Sequence, residues 1–400
     1  MLFTASAKLL LALMASSLIS AVSGTYLVQL APGADIEQYL DSHPTLRQKL
    51  LRTYSFGKFR AVLADCDDTF VKSLEYNPLV QDISPDIELR ANSITTQTGA
   101  PRHLARVSQT GPLSSTSNLT YSYDSTAGTG VDAYVLDTGI YKEHPDFGGR
   151  AVVGSDFTGE GAGDENGHGT HVAGLIGSAT YGVAKNISLI EVKVLNQQGG
   201  GSVRYCELIL AGLDYAVNQR TATGRKSVAN LSLGAMYNTM LNNAITSAVE
   251  SGLAVVVAAG NDGFPACAFS PASAREALTV GAFDDAGDSI ASFSNWGHCV
   301  DVFAPGVAIQ SLLNSGSGTV VYSGTSMASP IAAGLVGYYM GLGDDEAEAV
   351  ERVKSTATWG ALPWCQVLLR PFTPKTRSRT TWTERRRRWS VYDIGFGDGA

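Results

Sequence analysis

From about residue 130 onward, short runs of nearly unbroken apolar residues alternate with longer helical patterns. The runs are VDAYVLD, ISLIEVKVL, SVANLSL and GLAVVVAAG. The helical patterns are HVAGLIGS, SVRYCELILAGLDYAVNQR, NTMLNNAITSAVESG and SMASPIAAGLVGYYMGL. Strands apolar on both faces and separated by helices predict an α/β fold, a mostly parallel sheet with helices on both faces. Sites in such sheets lie at the carboxyl ends of the strands. Upstream, TYLVQLAPG predicts a strand ending in a Pro-Gly turn. A helix over 35–51, a strand (FRAVLA), a helix (DDTFVKSLEYN) and a strand-like segment over 80–87 follow. This β-α-β-α-β order predicts a small α+β domain. Residues 88–130 are rich in Ser, Thr, Gly and Asn with little periodicity and read as a linker and surface segment.

The chain opens with MLFTASAKLLLALMASSLISAVSG, in which Lys8 precedes an apolar stretch ending in small residues. That is the pattern of a signal peptide, and the stretch is short for a membrane span. A buried N-terminal helix is the alternative, but a helix without a polar face has little to pack against there. The expectation is a soluble, secreted, extracellular protein with no membrane partner. The 400 residues, 44% hydrophobic and 16% charged, suffice for one large and one small domain. A net charge of -8 gives no reason to expect a nucleic-acid partner. Five cysteines, Cys66, Cys206, Cys267, Cys299 and Cys365, include no CxxC pair. Sequons at Asn118, Asn186 and Asn230 make a glycoprotein reading available, though Asn230 falls in a predicted buried strand.

Four motifs carry the candidate chemistry. VLDTGI places Asp137 at the end of an apolar strand, where an Asp often only caps a turn. NGHGTHVAG places His168 between two glycines at a helix start, with freedom to aim its imidazole at a cleft. His171, three residues on, could form a metal pair with it, but no H-E-x-x-H glutamate is present, and a structural helix residue is the preferred reading. SGTSMASP places Ser326 at a strand-to-helix turn, either as an ordinary N-cap or as a nucleophile whose helix terminus favours an oxyanion. VVAAGND places Asn261 just after a strand, where its amide could donate to an oxyanion or simply form a turn. Each is weak alone. The order Asp, His, Ser is the one found in subtilisin and differs from that of chymotrypsin and of α/β-hydrolases.

Together with YGVAKN, NLSLGA, SPASAREALTVGA, FSNWG and FAPG, these motifs run in order from about residue 127 to 342. The sequence resembles the subtilisin-like serine peptidases and is most similar to the secreted, proteinase K-like branch. The resemblance implies Ser326 as nucleophile, His168 as general base and Asp137 as its orienting carboxylate. It implies an oxyanion hole from the Ser326 N–H and the Asn261 amide. Polypeptide substrates would lie extended along Gly199, Gly200, Gly201 and Ser202 on one side and Ser232, Leu233 and Gly234 on the other. Ser232 to Gly234 with Ala258, Ala259 and Gly260 would wall an uncharged pocket for hydrophobic or aromatic P1 side chains. Broad specificity follows from main-chain pairing. Further implications are a Cys267–Cys299 disulfide and a structural calcium ion on Asp301 with carbonyls near Arg275 and Ala277. No cofactor is implied for catalysis. The expected organisation is a signal peptide at 1–23, an inhibitory propeptide domain at 24–94, a peptidase domain at 95–359 and a basic tail at 360–400. The expected product is a monomer, made as a self-cleaving zymogen whose own propeptide is its intramolecular inhibitor, with a mature start near Ser93 to Thr96. Cys66 would leave with the propeptide, and Cys206 is expected as a buried free thiol.

Two features depart from the family. Ile331 stands where most relatives have His after the proline of SMASP. The family pattern fades after Trp359, and the last segment contains Arg385 to Arg388 in a row. That tail is either a polyanion-binding extension or an aberrant gene model, with the second preferred. Two other classes remain as competitors, a catalytically dead binding protein on the same fold and a zinc hydrolase using His168 and His171.

Overall fold

The computed structural model describes residues 23–86, 94–113, 118–200, 205–362 and 390–391. The predicted signal peptide, apart from Ser23 at the start of the first strand, and nearly all of the basic tail, with Cys365, lie outside the described residues. The chain divides into two compact units, Met1–Ala91 and Asn92–Ala400.

In the first unit the elements are β1 (Ser23–Leu30), α1 (Ile36–Ser42), α2 (Pro44–Gln48), β2 (Leu50–Phe56), β3 (Phe59–Asp67), α3 (Asp68–Glu75) and β4 (Val80–Pro85). The strands form one antiparallel sheet in the order β2-β3-β1-β4. Asp35 caps α1 by accepting from the N–H groups of Glu37 and Gln38, and Asp67 caps α3 through Phe70 N–H. Val28, Leu30, Leu40, Leu46 and Val62 are fully buried between helices and sheet. The single helix predicted over 35–51 is instead two short helices and the start of β2. Pro44 opens the second helix, and proline restricts the residue before it, so the first helix stops at Ser42. β2 was missing from the predicted order because it is an edge strand with most of its residues exposed and no apolar face to mark it.

The second unit is built on an eight-stranded sheet. Its first two strands, β5 (Ile94–Thr98) and β6 (Thr120–Asp124), pair separately as an antiparallel ladder, with α4 (Arg102–Val107) between them. These elements lie in the stretch read as a linker. The reason is chemical: α4 buries a cation. Arg106 is 0% exposed, is held by both Asp288 oxygens at 3.1 and 3.2 Å, and lies over the Phe283 ring. A charged residue used as core leaves no apolar period in the sequence.

The main sheet contains β7 (Asp132–Asp137), β8 (Ala151–Asp156), β9 (Ser188–Lys193), β10 (Ser227–Leu231), β11 (Ala254–Ala258), β12 (Leu278–Asp284), β13 (Ser289–Ile290) and β14 (Val302–Pro305). Their order is β13-β12-β11-β10-β7-β9-β8, with β14 beside β12. Every pairing is parallel except that of β12 with β13. Neighbouring residues of one strand face opposite cores. Val256 of β11 packs with α5 (His168–Gly177) and α8 (Thr325–Gly341), while Val255 and Val257 pack with α6 (Tyr205–Thr223) and α7 (Thr239–Glu250). All three valines are essentially unexposed, each worth about 1.5–3 kcal/mol of transfer free energy. This two-sided burial explains the unbroken apolar runs of the sequence. The chain continues through α9 (Glu346–Thr356), which rests Ala349 and Val353 on the core.

Candidate active site

Asp137 is the last residue of β7, and its carboxylate is fully buried. Its Oδ1 lies 2.7 Å from His168 Nδ1 and accepts Thr138 N–H at 2.8 Å. His168 is the first residue of α5, held there by a network centred on Asp164. One Asp164 oxygen accepts from Gly167 N–H at 2.8 Å, Asn166 N–H at 3.1 Å and Thr138 Oγ1–H at 2.9 Å. The other accepts from the N–H and hydroxyl of Thr170. Thr138 Oγ1 in turn accepts Gly169 N–H at 2.9 Å. The strand carrying the carboxylate and the helix carrying the imidazole are therefore stitched together around one buried anion. Glycine is required at the seam, since a Cβ on Gly169 would overlap the Gly139 carbonyl oxygen.

Two more buried charges brace the same loops. Glu191 accepts from Ile140 N–H and Gly163 N–H, both at 2.9 Å, and burial pushes its pKa up. Lys193, 1% exposed, donates to Thr138 O at 2.6 Å and lies 3.6 Å from Glu160. Burial alone would lower the His168 pKa. The Asp137 carboxylate, by charge and hydrogen bond, and the Asp164 charge outweigh it, so the pKa lies above its ordinary value.

Ser326 is the second residue of α8 and half-buried. It sits against Ser232, which follows β10, the strand next to β7. Ser326 Oγ donates to Ser232 O at 3.3 Å, and Ser232 Oγ donates to Ser326 O at 2.9 Å. Among the described residues no hydrogen bond joins Ser326 Oγ to His168. Asn261 follows β11, the next strand along. Its Oδ1 accepts from Thr325 N–H at 2.8 Å and Thr325 Oγ1–H at 2.9 Å, which fixes which way the amide faces. With the oxygen anchored on the residue before Ser326, the NH2 group is the end left for a ligand. Asp137, His168, Ser326 and Asn261 thus all sit where the carboxyl ends of parallel strands meet helix starts.

A cavity of about 440 Å³ opens beside Ser326. Leu233, Gly234, Ala258, Ala259 and Gly260, five of the six residues named for a P1 pocket, line it, together with Asn261. Met236, Asp262, Phe269 and Ala272 line it as well and were missed. Met236 and Phe269 belong to a small antiparallel pair, Ala235–Met236 with Phe269–Ser270, too short for any periodic signal. Ser232 is not part of the lining; it is 4% exposed and bonded to Asn230 and Ser326. Gly199 adopts φ +72 in a turn closed by its N–H on Asn196 O, and Gly200 O accepts Asn196 N–H. Gly201 and Ser202 lie outside the described residues.

His171 is fully buried, with Nε2 at 3.1 Å from Ile309 O and its ring against Tyr322. Burial lowers its pKa to about 3, so it stays neutral and its Nε2 is the N–H that serves the carbonyl. That is the structural role, not a metal pair with His168. Ile331 is likewise 0% exposed. Cys267 and Cys299 form a disulfide with Cα atoms 5.4 Å apart, while Cys66 and Cys206 carry free thiols. Cys66 is buried as a core residue of the first unit, and Cys206 is half-buried. Asn230 spends both ends of its buried amide, Nδ2 on Ser232 and Oδ1 on Ser329, so it is no glycan acceptor in the fold.

The model of the subtilase family of peptidases matches residues 128–377. The chain belongs to the subtilase family. A subtilase-type proteinase of Saccharomyces cerevisiae is 38% identical over 398 residues, covering 87% of this chain and 80% of the relative. Subtilisin-like protease 2 of Pseudogymnoascus destructans is 41% identical over 333 residues, covering 82% and 81%. The crystal structure of a cold adapted subtilisin-like serine proteinase superposes with a TM-score of 0.61 at 38% identity, covering 67% of this chain and 95% of that one. This subtilase is therefore a serine endopeptidase, a hydrolase of polypeptides on the subtilisin α/β fold. Among its described residues no helix is long and apolar enough to cross a membrane.

Proposed function

We propose that the protein is a secreted, monomeric endopeptidase of broad specificity, made as a self-cleaving zymogen, in which Ser326, His168 and Asp137 act as a triad. The observation that carries this is the 2.7 Å contact of His168 Nδ1 with a fully buried carboxylate, at the sheet end where Ser326 opens a helix. Asp137 requires the Nδ1–H tautomer, which leaves Nε2 as the base. In this mechanism Ser326 Oγ gives up its 3.3 Å contact with Ser232 O and donates to that nitrogen instead. As Ser326 Oγ attacks the scissile carbonyl, His168 takes the hydroxyl proton, and Asp137 stabilises the imidazolium. The proton then passes to the leaving amine, and a water repeats the sequence on the acyl-enzyme. The tetrahedral oxyanion is met by Ser326 N–H at the helix start and by Asn261 Nδ2. The cavity beside Ser326 has mostly small or apolar walls, Phe269 among them, which favours apolar P1 side chains. Asp262 at its lining disfavours acidic ones.

In this reading the first compact unit is the propeptide, and removal of the segment before about Ser93 to Thr96 yields the mature enzyme. Gly199 and Gly200 would stand on one side of the extended substrate and Leu233 and Gly234 on the other, as the resemblance implies. Exposed Asn118 and Asn186 are the available glycan acceptors. The test is to express the chain beside a Ser326→Ala variant and follow chain size and amino terminus. The wild type shortens to a product beginning near Ser93 to Thr96, and the variant keeps its full length. Equal shortening of both refutes self-cleavage.

A further inference from the structure

The family resemblance implies a calcium ion at Asp301, so the residues around that carboxylate decide whether a dication fits. Asp301 stands directly before β14 and is tied to β12 in both directions. Its N–H donates to Thr279 O at 2.9 Å, and its Oδ2 accepts Thr279 N–H at 3.0 Å. The other oxygen, Oδ1, lies 3.6 Å from Lys354 Nζ. Asp301 keeps 13% of its side-chain surface and Lys354 30%, so the pair is largely sheltered. Calcium takes six to eight oxygen ligands and is held most tightly where several are anionic. Here Oδ2 of Asp301 accepts a backbone N–H and Oδ1 faces an ammonium, so a dication held between this carboxylate and the carbonyls near Arg275 and Ala277 would have to displace Lys354. A dication there would meet like charge at contact distance.

Lys354 reaches this place by a rigid route. It lies in the last turn of α9, where a cation suits the helix dipole. That helix is fixed at its start by a capping box between Asp345 and Glu348, along its length by buried Ala349 and Val353, and by Arg352, which pairs with Asp344 at 2.9 Å and lies over the Tyr339 ring.

We propose that the ammonium of Lys354 is the built-in counter-ion of Asp301, standing where the resemblance puts calcium and tying α9 to the β12–β14 edge of the sheet. The stability of the peptidase unit therefore does not depend on calcium at Asp301.

The test uses the full chain carrying Ser326→Ala, to prevent self-digestion, and thermal melting in a calcium chelator or with calcium in excess. Asp301→Asn, Lys354→Gln and the double variant are compared in both buffers. The expected result is no calcium shift that depends on Asp301. A shift that persists in Asp301→Asn arises at another site and agrees with the proposal. In the chelator each single variant lowers the melting temperature by roughly 1–3 °C, and the double variant falls no further than the lower single. Calcium stabilisation of the parent that Asp301→Asn abolishes overturns the proposal. So do strictly additive losses in the double variant.

Discussion

Replacing Asp164 by Asn separates the architecture of the site from its chemistry. The side chain touches no substrate, yet it accepts five hydrogen bonds from Thr138, Asn166, Gly167 and Thr170. Asparagine keeps the shape and one accepting oxygen. It turns the other oxygen into an NH2 group facing Thr170 N–H and removes the negative charge. A hydrogen bond to a charged group is worth about 1.5–3 kcal/mol, and leaving a buried donor unmet costs about 1–3 kcal/mol. One lost pair and three weakened bonds sum to about 2–4 kcal/mol, or roughly 3–6 °C in melting temperature for a unit of this size. The change also has a catalytic signature. The Asp164 charge helps hold the His168 pKa above its ordinary value. Without it the imidazolium is less favoured, so the pKa falls and the base form persists to lower pH. The acid limb of kcat/KM in Asp164→Asn therefore moves to lower pH while the enzyme stays active. Melting within one degree of wild type, or an acid limb that stays put or moves up, refutes this account of the network.

Three further outcomes follow from the same geometry. Asn261→Ala lowers kcat by ~10²–10³ with little change in KM, a magnitude taken from the subtilisin example of the same interaction rather than worked out from this structure; steady-state kinetics at saturating peptide checks it. Removing the Cys267–Cys299 bridge, whose partners are 32 residues apart, costs about 3–4 kcal/mol by loop-closure entropy, read as a lower denaturation midpoint of the Cys267→Ser/Cys299→Ser variant. Fold stability falls as pH drops from 6.5 towards 4. His103 and His171 are buried with pKa values lowered to about 4 and about 3, so they are neutral in the fold and take up protons on unfolding. His168, with its raised pKa, works in the opposite sense and offsets part of this loss at the upper end of the range. Two protons give at most about 2.7 kcal/mol per pH unit, measurable by denaturant titration of Ser326→Ala across that range.

The sheet was legible because β7, β10 and β11 are buried on both faces, and unbroken apolar runs are the signature of that condition. Asp137, His168, Ser326 and Asn261 were legible because each ends such a run or opens a helix, in an order that only one peptidase arrangement uses. What escaped was structure held by polar atoms. Helix α4 hides behind buried Arg106, and the bracing of the site falls to Asp164, Glu191 and Lys193, whose burial no hydropathy pattern announces. Lys193 sits inside ISLIEVKVL, and a lysine interrupting an otherwise apolar strand was the available signal. Met236 and Phe269 reach the cavity from two-residue strands paired across more than thirty positions of sequence, a contact set by tertiary packing alone.

A working triad makes one serine hydroxyl among many nucleophilic. Incubating the wild-type mature enzyme, and each variant cut to the same amino terminus by an added protease, with an organofluorophosphate and mapping the adduct by peptide mass spectrometry is the decisive measurement. One adduct per chain is expected, on Ser326, lost together with peptidase activity in both Ser326→Ala and His168→Ala. Full activity after labelling, or an adduct on a different serine, contradicts it.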